Sequence, residues 1–146
     1  MAAAAIQLVV VTPTRQLLRV QASEVTLPGA KGYLGILPGH APLMTELGIG
    51  ELTYRTSPSS APSEPILLTR GFAEVLPDRV TVLAETAEMA AEIDLARAEA
   101  AKARAEKRLE SGDSNIDWDR ASVALQRALI RIQVARKHRG VPAESR

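Results

Sequence analysis

The chain has 146 residues, a net charge of +1, 46% hydrophobic but only 3% aromatic residues, and no cysteine. That length holds one ordinary domain, or one small domain with an appendage. The near-neutral balance excludes a whole-chain field for nucleic acid or anionic lipid, and the lack of cysteine excludes disulfides, thiolate nucleophiles and Cys-ligated zinc.

Met1 to Ala5 carries no basic residue and the apolar run Ile6–Val11 is short, so no signal peptide is expected. No run approaches the roughly 20 apolar residues that span a bilayer. Any membrane association is therefore expected to go through a partner, without direct insertion. Ile6–Val11 reads as a first strand, with a turn at Pro13-Thr14. Gln16–Leu27 reads as one long strand of mixed polarity, closed by Pro28-Gly29. Tyr33–Leu37 is the next strand, closed by Pro38-Gly39. Pro42–Leu47 and Ile49–Arg55 are strands divided by Gly48. The segment 56–65, TSPSSAPSEP, is a polar Pro/Ser surface loop. Ile66–Thr69, Phe72–Leu76 and Arg79–Ala84 complete the series. The spacing predicts a small antiparallel β-sandwich or barrel over residues 1–87.

Seven of nine glycines and eight of nine prolines precede residue 86. The remainder of the chain reads as helical, which makes the fold class α+β, with a two-helix hairpin over 88–139 and a disordered tail over 140–146. The first helix starts at Thr86 or nearer Asp94. It carries two alanine-rich stripes, Ile93/Ala96/Ala100/Ala103 and Ala98/Ala101/Ala105/Leu109. At about 25 cal/mol per Å² such stripes stabilise far less than leucine would, so this hairpin packs weakly. Ser111-Gly112-Asp113 breaks the helix, and Ser114 or Asn115 caps the next. The second helix has the apolar face Ala121, Leu125, Ala128, Leu129 and Ile132, and a basic last turn, Arg136 to Arg139.

No catalytic constellation appears. The histidines are His40, in a Pro-Gly-His-Ala-Pro loop, and His138, in the basic helix end; neither has a paired nucleophile or a second ligand. Gly29, Gly32 and Gly35 do not form a phosphate loop and read as turns between strands. Arg97 and Arg104 share one helix face, and Arg120, Arg127 and Arg131 share another. A hairpin can point both sets into one groove, where guanidinium forks suit phosphate oxygens and Asp94 suits a sugar or base. The alternative is a solvated charged face with exposed pairs such as Lys102 and Glu106.

Several segments in order resemble the epsilon subunit of bacterial and chloroplast F-type ATP synthases. The most specific is Gly32-Tyr33-Leu34-Gly35-Ile36-Leu37-Pro38-Gly39-His40-Ala41-Pro42-Leu43. Val9–Pro13, Arg70–Val75, Val80–Ala87 and Ile93-Asp94-x-x-Arg97-Ala98 resemble further family segments. The second helix fits in length and composition only.

The resemblance implies a non-catalytic rotor subunit rather than an enzyme. On this reading the sandwich binds the gamma subunit and the c-ring, and couples proton flow to rotation. The hairpin folds down beside the sandwich, or extends along gamma toward the catalytic head and blocks ATP hydrolysis, with basic residues of its second helix meeting the beta subunit in the extended form. Arg120, Arg127, Arg131 and Arg136 are the carriers on this helix. Lys31, Tyr33 and His40 belong to the loop region facing the c-ring and gamma. Many relatives carry Glu at the position of Tyr33, so this contact departs from the family pattern. Some members bind ATP in the folded hairpin, which implies a regulatory site from Glu88, Asp94, Arg97, Arg104, Arg127 and Arg131. No cofactor is required and no metal site is expected. The expected location is the cytoplasmic face of a bacterial inner membrane, peripheral through the complex. Two other classes stand beside this one: a stand-alone ATP-binding sensor, and a generic scaffold or chaperone. A rotor subunit leaves an apolar sandwich face for its partner; a sensor does not.

Overall fold

A computed structural model of the chain describes residues 5–140. The expected tail lies outside the described residues beyond Gly140. The chain divides into two compact units, one ending at Met89 and the next beginning at Ala90. The first unit runs two residues beyond the expected boundary at 87 because its last strand continues to Met89.

The first unit is seven strands: β1 (Ile6–Val11), β2 (Gln16–Ala22), β3 (Glu24–Gly29), β4 (Gly32–Ile36), β5 (Leu43–Arg55), β6 (Ile66–Leu76) and β7 (Arg79–Met89). Their order is β2-β1-β7-β6-β5-β3-β4. Pairing is antiparallel throughout, as expected, except that β1 runs parallel to β7. A flat sheet of this width spans roughly 29 Å and cannot bury a face against itself. Here buried residues of every strand, from Ala22 in β2 to Ile36 in β4, join one cluster, so the sheet curls over its own core. The core is Val, Leu, Ile and Ala, as the scarcity of aromatics requires.

Three expected strand limits are bends instead. β5 runs through Gly48, β6 through Arg70-Gly71 and β7 past Ala84. Along β6 the core side is Ile66 and Leu68, then Ala73 and Val75. Along β7 it is Val80, Val82 and Ala84, then Ala87, and β5 shifts from Leu47 to Leu52. The inward phase thus changes by one residue in all three strands. Gly48, Arg70 and Glu85 are the unpaired positions in registers that resume unchanged on either side. They form one corner line across the sheet. Arg70 has φ 48° and Gly71 φ 121°, and a Cβ on Gly71 would lie 2.0 Å from the Leu83 carbonyl oxygen. Only glycine fits that approach. The expected single strand Gln16–Leu27 is two, β2 and β3, because Ser23 leaves the ladder and donates its N–H to Arg55 O at 2.8 Å.

The second unit has a short 3-10 turn (Ala90–Glu92), α1 (Leu95–Glu110) and α2 (Trp118–His138). Of the two expected starts of α1, the later one occurs: Asp94 caps it, accepting from Arg97 N–H at 3.1 Å. The cap of α2 is Asp117, not Ser114 or Asn115, and accepts from Arg120 N–H at 3.0 Å. Those two residues belong to the turn, where the Asp113 carboxylate takes the Asn115 N–H at 2.9 Å. Of the two alanine stripes on α1, Ala98 and Ala105 are buried, whereas Ala96, Ala100 and Ala103 are exposed. On α2 the buried residues are Ala121, Ala128, Ile132, Val134 and Ala135, and Leu129 is exposed. Arg136 pairs with Glu99 at 3.3 Å and Arg139 donates to Ile93 O at 3.3 Å, so the helices pack antiparallel. That register brings Ala98 level with Ala135 and Ala105 level with Ala128.

Gly71→Ala is expected to destabilise the first unit by about 3 kcal/mol or more, because strain at a positive φ adds to a backbone clash. Urea denaturation of the full chain measures it, with Gly48→Ala, where the nearest atom to a new Cβ is 3.4 Å away, losing much less.

Candidate functional site

The phase change at the corner decides what the first unit shows to its surroundings. Strict alternation from Leu68 would turn Phe72 inward. Instead Phe72 is 54% exposed and lies across from Leu83, 53% exposed, which in turn lies across from Val11. On the other side Phe72 pairs with Glu46 of β5. The next outward row is Met44, Glu74, Thr81 and Val9. Phe72, Leu83, Val11 and Pro13 wall a shallow groove of about 480 Å³. Large apolar side chains gathered on a sheet face of a small unit mark a contact surface.

A second cleft, about 390 Å³, lies at the β3–β4 hairpin and is lined by Lys31, Tyr33, Met44 and Glu46 among others. It brings two expected contact residues, Lys31 and Tyr33, together. Tyr33 is fixed: its hydroxyl accepts the Glu51 N–H at 3.1 Å over Gly50, where a Cβ would sit 2.8 Å from the hydroxyl. His40 does not line this cleft. It is half-buried after β4, where its Nδ1 donates to Ala41 O at 2.7 Å and Gly39 N–H donates to Pro77 O at 2.7 Å.

In the helical unit the arginines have a shared geometry. On helices turning about 100° per residue, Arg97, Arg104 and Arg108 fall on one flank of the Ala98–Ala105 stripe. Arg120, Arg127 and Arg131 fall on the matching flank of the Ala121–Ala128–Ala135 line. In an antiparallel pair these flanks lie on the same side. Arg108 and Arg120 indeed line one cleft of about 340 Å³ at the hairpin turn. Arg97, Arg104 and Arg120 are exposed; Arg127 and Arg131 are half-buried, and the Arg127 Nε is buried without a hydrogen-bond partner among the described residues. Glu99 and Glu106 lie on the opposite flank, with Arg136 and Lys102. Arg136 is therefore engaged within the hairpin, and the Asp94 carboxylate caps its own helix. Glu88 lies in β7, in the first unit, apart from the helical residues in the chain's division.

The sequence reading missed Phe72, Leu83, Met44 and Arg108. Arg108 was legible: 97, 104, 108 and 120, 127, 131 have identical spacing. Among the described residues no cluster of His, Asp and Glu is placed to hold a metal, and no helix is long and apolar enough to cross a membrane.

Residues 5–90 match the family model for the ATP synthase delta/epsilon chain beta-sandwich domain, and residues 91–136 that for its long alpha-helix domain. The chain is 44% identical over 132 residues to the ATP synthase epsilon chain of Syntrophobacter fumaroxidans, covering 90% of this chain and 96% of that one. It is 47% identical over 137 residues to the epsilon chain of Syntrophomonas wolfei, covering 94% and 98%. Among solved structures, a chain of the Euglena gracilis mitochondrial ATP synthase (OSCP, F1 and c-ring) aligns with TM-score 0.74 at 22% identity, over 86% of this chain and 78% of that one. That likeness concerns the fold.

Proposed function

The chain belongs to the ATP synthase delta/epsilon family, and from that premise we propose how its two units divide the work of a central-stalk subunit. It is a non-catalytic, epsilon-type subunit of the F-type rotary motor. The β unit is the docking platform: it seats on the gamma subunit and the c-ring and carries rotation between them. The helical hairpin is the regulatory arm, which reaches the beta subunit and slows ATP hydrolysis. The complex holds the chain at the cytoplasmic face of a bacterial inner membrane.

The observation that carries this reading is the outward apolar row Val11–Leu83–Phe72 on a unit whose own core is already complete. A free-standing sensor has no use for such a face, and its exposure disfavours that alternative. The hairpin reading is supported by its packing. Alanine layers bury little area, and the partly exposed Arg136–Glu99 pair that joins the helices at 3.3 Å adds no more than about 1 kcal/mol. An arm held this lightly rearranges at low cost.

The arginine flank supports a regulatory ATP as the arm's ligand. Arg97, Arg104, Arg127 and Arg131 gather guanidinium groups on one flank, while Glu99 and Glu106 lie on the other. The partnerless Arg127 Nε suits an incoming acceptor oxygen. Asp94, which caps α1, is the remaining helical member of the proposed set. Bound ATP would bring negative charge to this cationic flank.

Two measurements check these statements. Synthase depleted of this chain is titrated with the full chain and with a 1–89 fragment that retains all seven strands. The full chain is expected to lower ATPase activity, and the fragment to compete for binding without lowering it; equal inhibition by the fragment contradicts the division of labour. Calorimetric titration of ATP into the full chain is expected to show binding that Arg97→Ala weakens roughly tenfold. Absence of binding at millimolar ATP removes the nucleotide from the account.

A further inference from the structure

We infer that the cleft at the turn of the helical hairpin is a binding site for inorganic phosphate, held between the guanidinium groups of Arg108 and Arg120. The site stands on the hairpin's own geometry; its regulatory meaning rests on the arm proposed above. The cleft, about 340 Å³, is lined by Arg108, Asn115, Ile116, Asp117, Arg120 and Ala121. Arg108 stands in the last turn of α1 and Arg120 in the first turn of α2. Neither belongs to the proposed ATP set, and Arg97 of that set lies about 16 Å further along α1.

Lys102 and Arg136 each have an acid, Glu106 at 3.8 Å and Glu99 at 3.3 Å. The guanidinium groups of Arg108 and Arg120 have no hydrogen-bond or ion-pair partner among the described residues, and neither has the Asn115 side chain. The nearby acids are committed or turned elsewhere. Asp117 lines the cleft, but its Oδ1 accepts the Arg120 N–H at 3.0 Å. Asp113 accepts the Asn115 N–H at 2.9 Å. Glu110 falls on the flank of α1 opposite Arg108, and Asp119 about 100° round α2 from Arg120. Two arginines against one aspartate leave the cleft positive. Like charges brought together repel, and an anion between them reverses the sign. Because Asp117 already closes the start of α2, the donors that remain are side chains.

Those donors select a compact oxyanion. Guanidinium forks match phosphate oxygens, and Asn115 adds an amide donor. A tetrahedral phosphate offers acceptors in three directions, one for each of these side chains. A nucleotide also needs a ring or an apolar floor, yet Ile116 and Ala121 are the only apolar lining residues and no aromatic is among them. Arg108 and Arg120 stand on either side of the connection 111–117. An anion gripped by both ties together two helices whose packing is weak, and favours the closed hairpin over any state in which they part. ATP synthesis consumes phosphate, so the arm registers the supply of that substrate at a point separate from ATP.

The test titrates inorganic phosphate into the full chain against chloride at constant ionic strength. The readouts are the fluorescence of Trp118, the only tryptophan and the neighbour of Asp117, and the amide shifts of Asn115 and Arg120. Saturable binding with a Kd of about 1–10 mM is expected. Arg108→Gln and Arg120→Gln are each expected to weaken it at least about tenfold, and Lys107→Gln, which removes a charge outside the cleft, by less than about twofold. A response that chloride reproduces, or that Lys107→Gln lowers as much as Arg108→Gln does, is a general charge effect and overturns the inference. Loss of phosphate binding in Arg97→Gln moves the anion to the ATP flank and overturns it too. So does a glutamate-rich peptide that binds at least about tenfold tighter than phosphate and loses that binding in Arg108→Gln, which makes an acidic segment the occupant. A chain that slows the depleted synthase but does not bind phosphate loses this inference alone. A chain that binds phosphate here but does not slow the synthase keeps the site and contradicts the arm.

Discussion

The Leu83 carbonyl oxygen lies where any side chain on Gly71 would have to be. This close approach sets the corner line Gly48–Arg70–Glu85, and the rest of the first unit depends on it. The corner shifts the inward phase of β5, β6 and β7 together, so that Leu47, Ala73, Val75, Val80 and Val82 enter the same core as Leu52, Leu68 and Ala87. It also expels Phe72 and Leu83. A sheet without this corner would bury Phe72 and have no apolar row to offer. The contact face is thus a by-product of the way one sheet closes on itself.

The two units are built from different materials, and the difference fits their roles. The β unit buries Ile, Leu and Val from all seven strands and ties its longest loop down, with Ser63 N–H donating to Tyr54 O at 2.7 Å. Such a core resists deformation under load. The helical unit buries mostly alanine, with only Ile93, Ile132 and Val134 as larger side chains among the described residues, and adds helix caps and partly exposed ion pairs. Its helices are well terminated, at Asp94 and Asp117, so each keeps its own structure while their mutual packing stays weak. A stiff platform and a lightly held arm are the combination that a rotating regulator requires.

Much of this was legible in the sequence, and the failures have physical causes. The glycine and proline asymmetry separated strands from helices, because both residues disfavour helix interiors. The β-branched runs located the strands. Gly48 and Arg70-Gly71 look like strand ends in the sequence, since a break in alternation is the same whether the chain stops or bends. Arg70 hid the bend further, because an arginine in a left-handed conformation gives no local signal. The parallel β1–β7 pair joins distant segments, and periodicity within either strand is silent about it. Asp117 does not stand out as a cap in the sequence because Ser114 and Asn115 are equally good cap residues. On α1 two alanine stripes compete on equal terms, and only the partner helix selects Ala98 and Ala105. The arginine flank was partly visible, since spacing reveals a face but not which faces meet.

The central claim is that the Phe72–Leu83 face seats on the rotor. It is tested most directly by replacing Phe72 with a photo-crosslinking p-benzoyl-phenylalanine in the full chain, assembling the synthase, irradiating it and identifying the adduct by mass spectrometry. The account predicts an adduct with the gamma subunit of the central stalk. An assembled, active synthase that yields no adduct from this position, or one with the catalytic head alone, would contradict it.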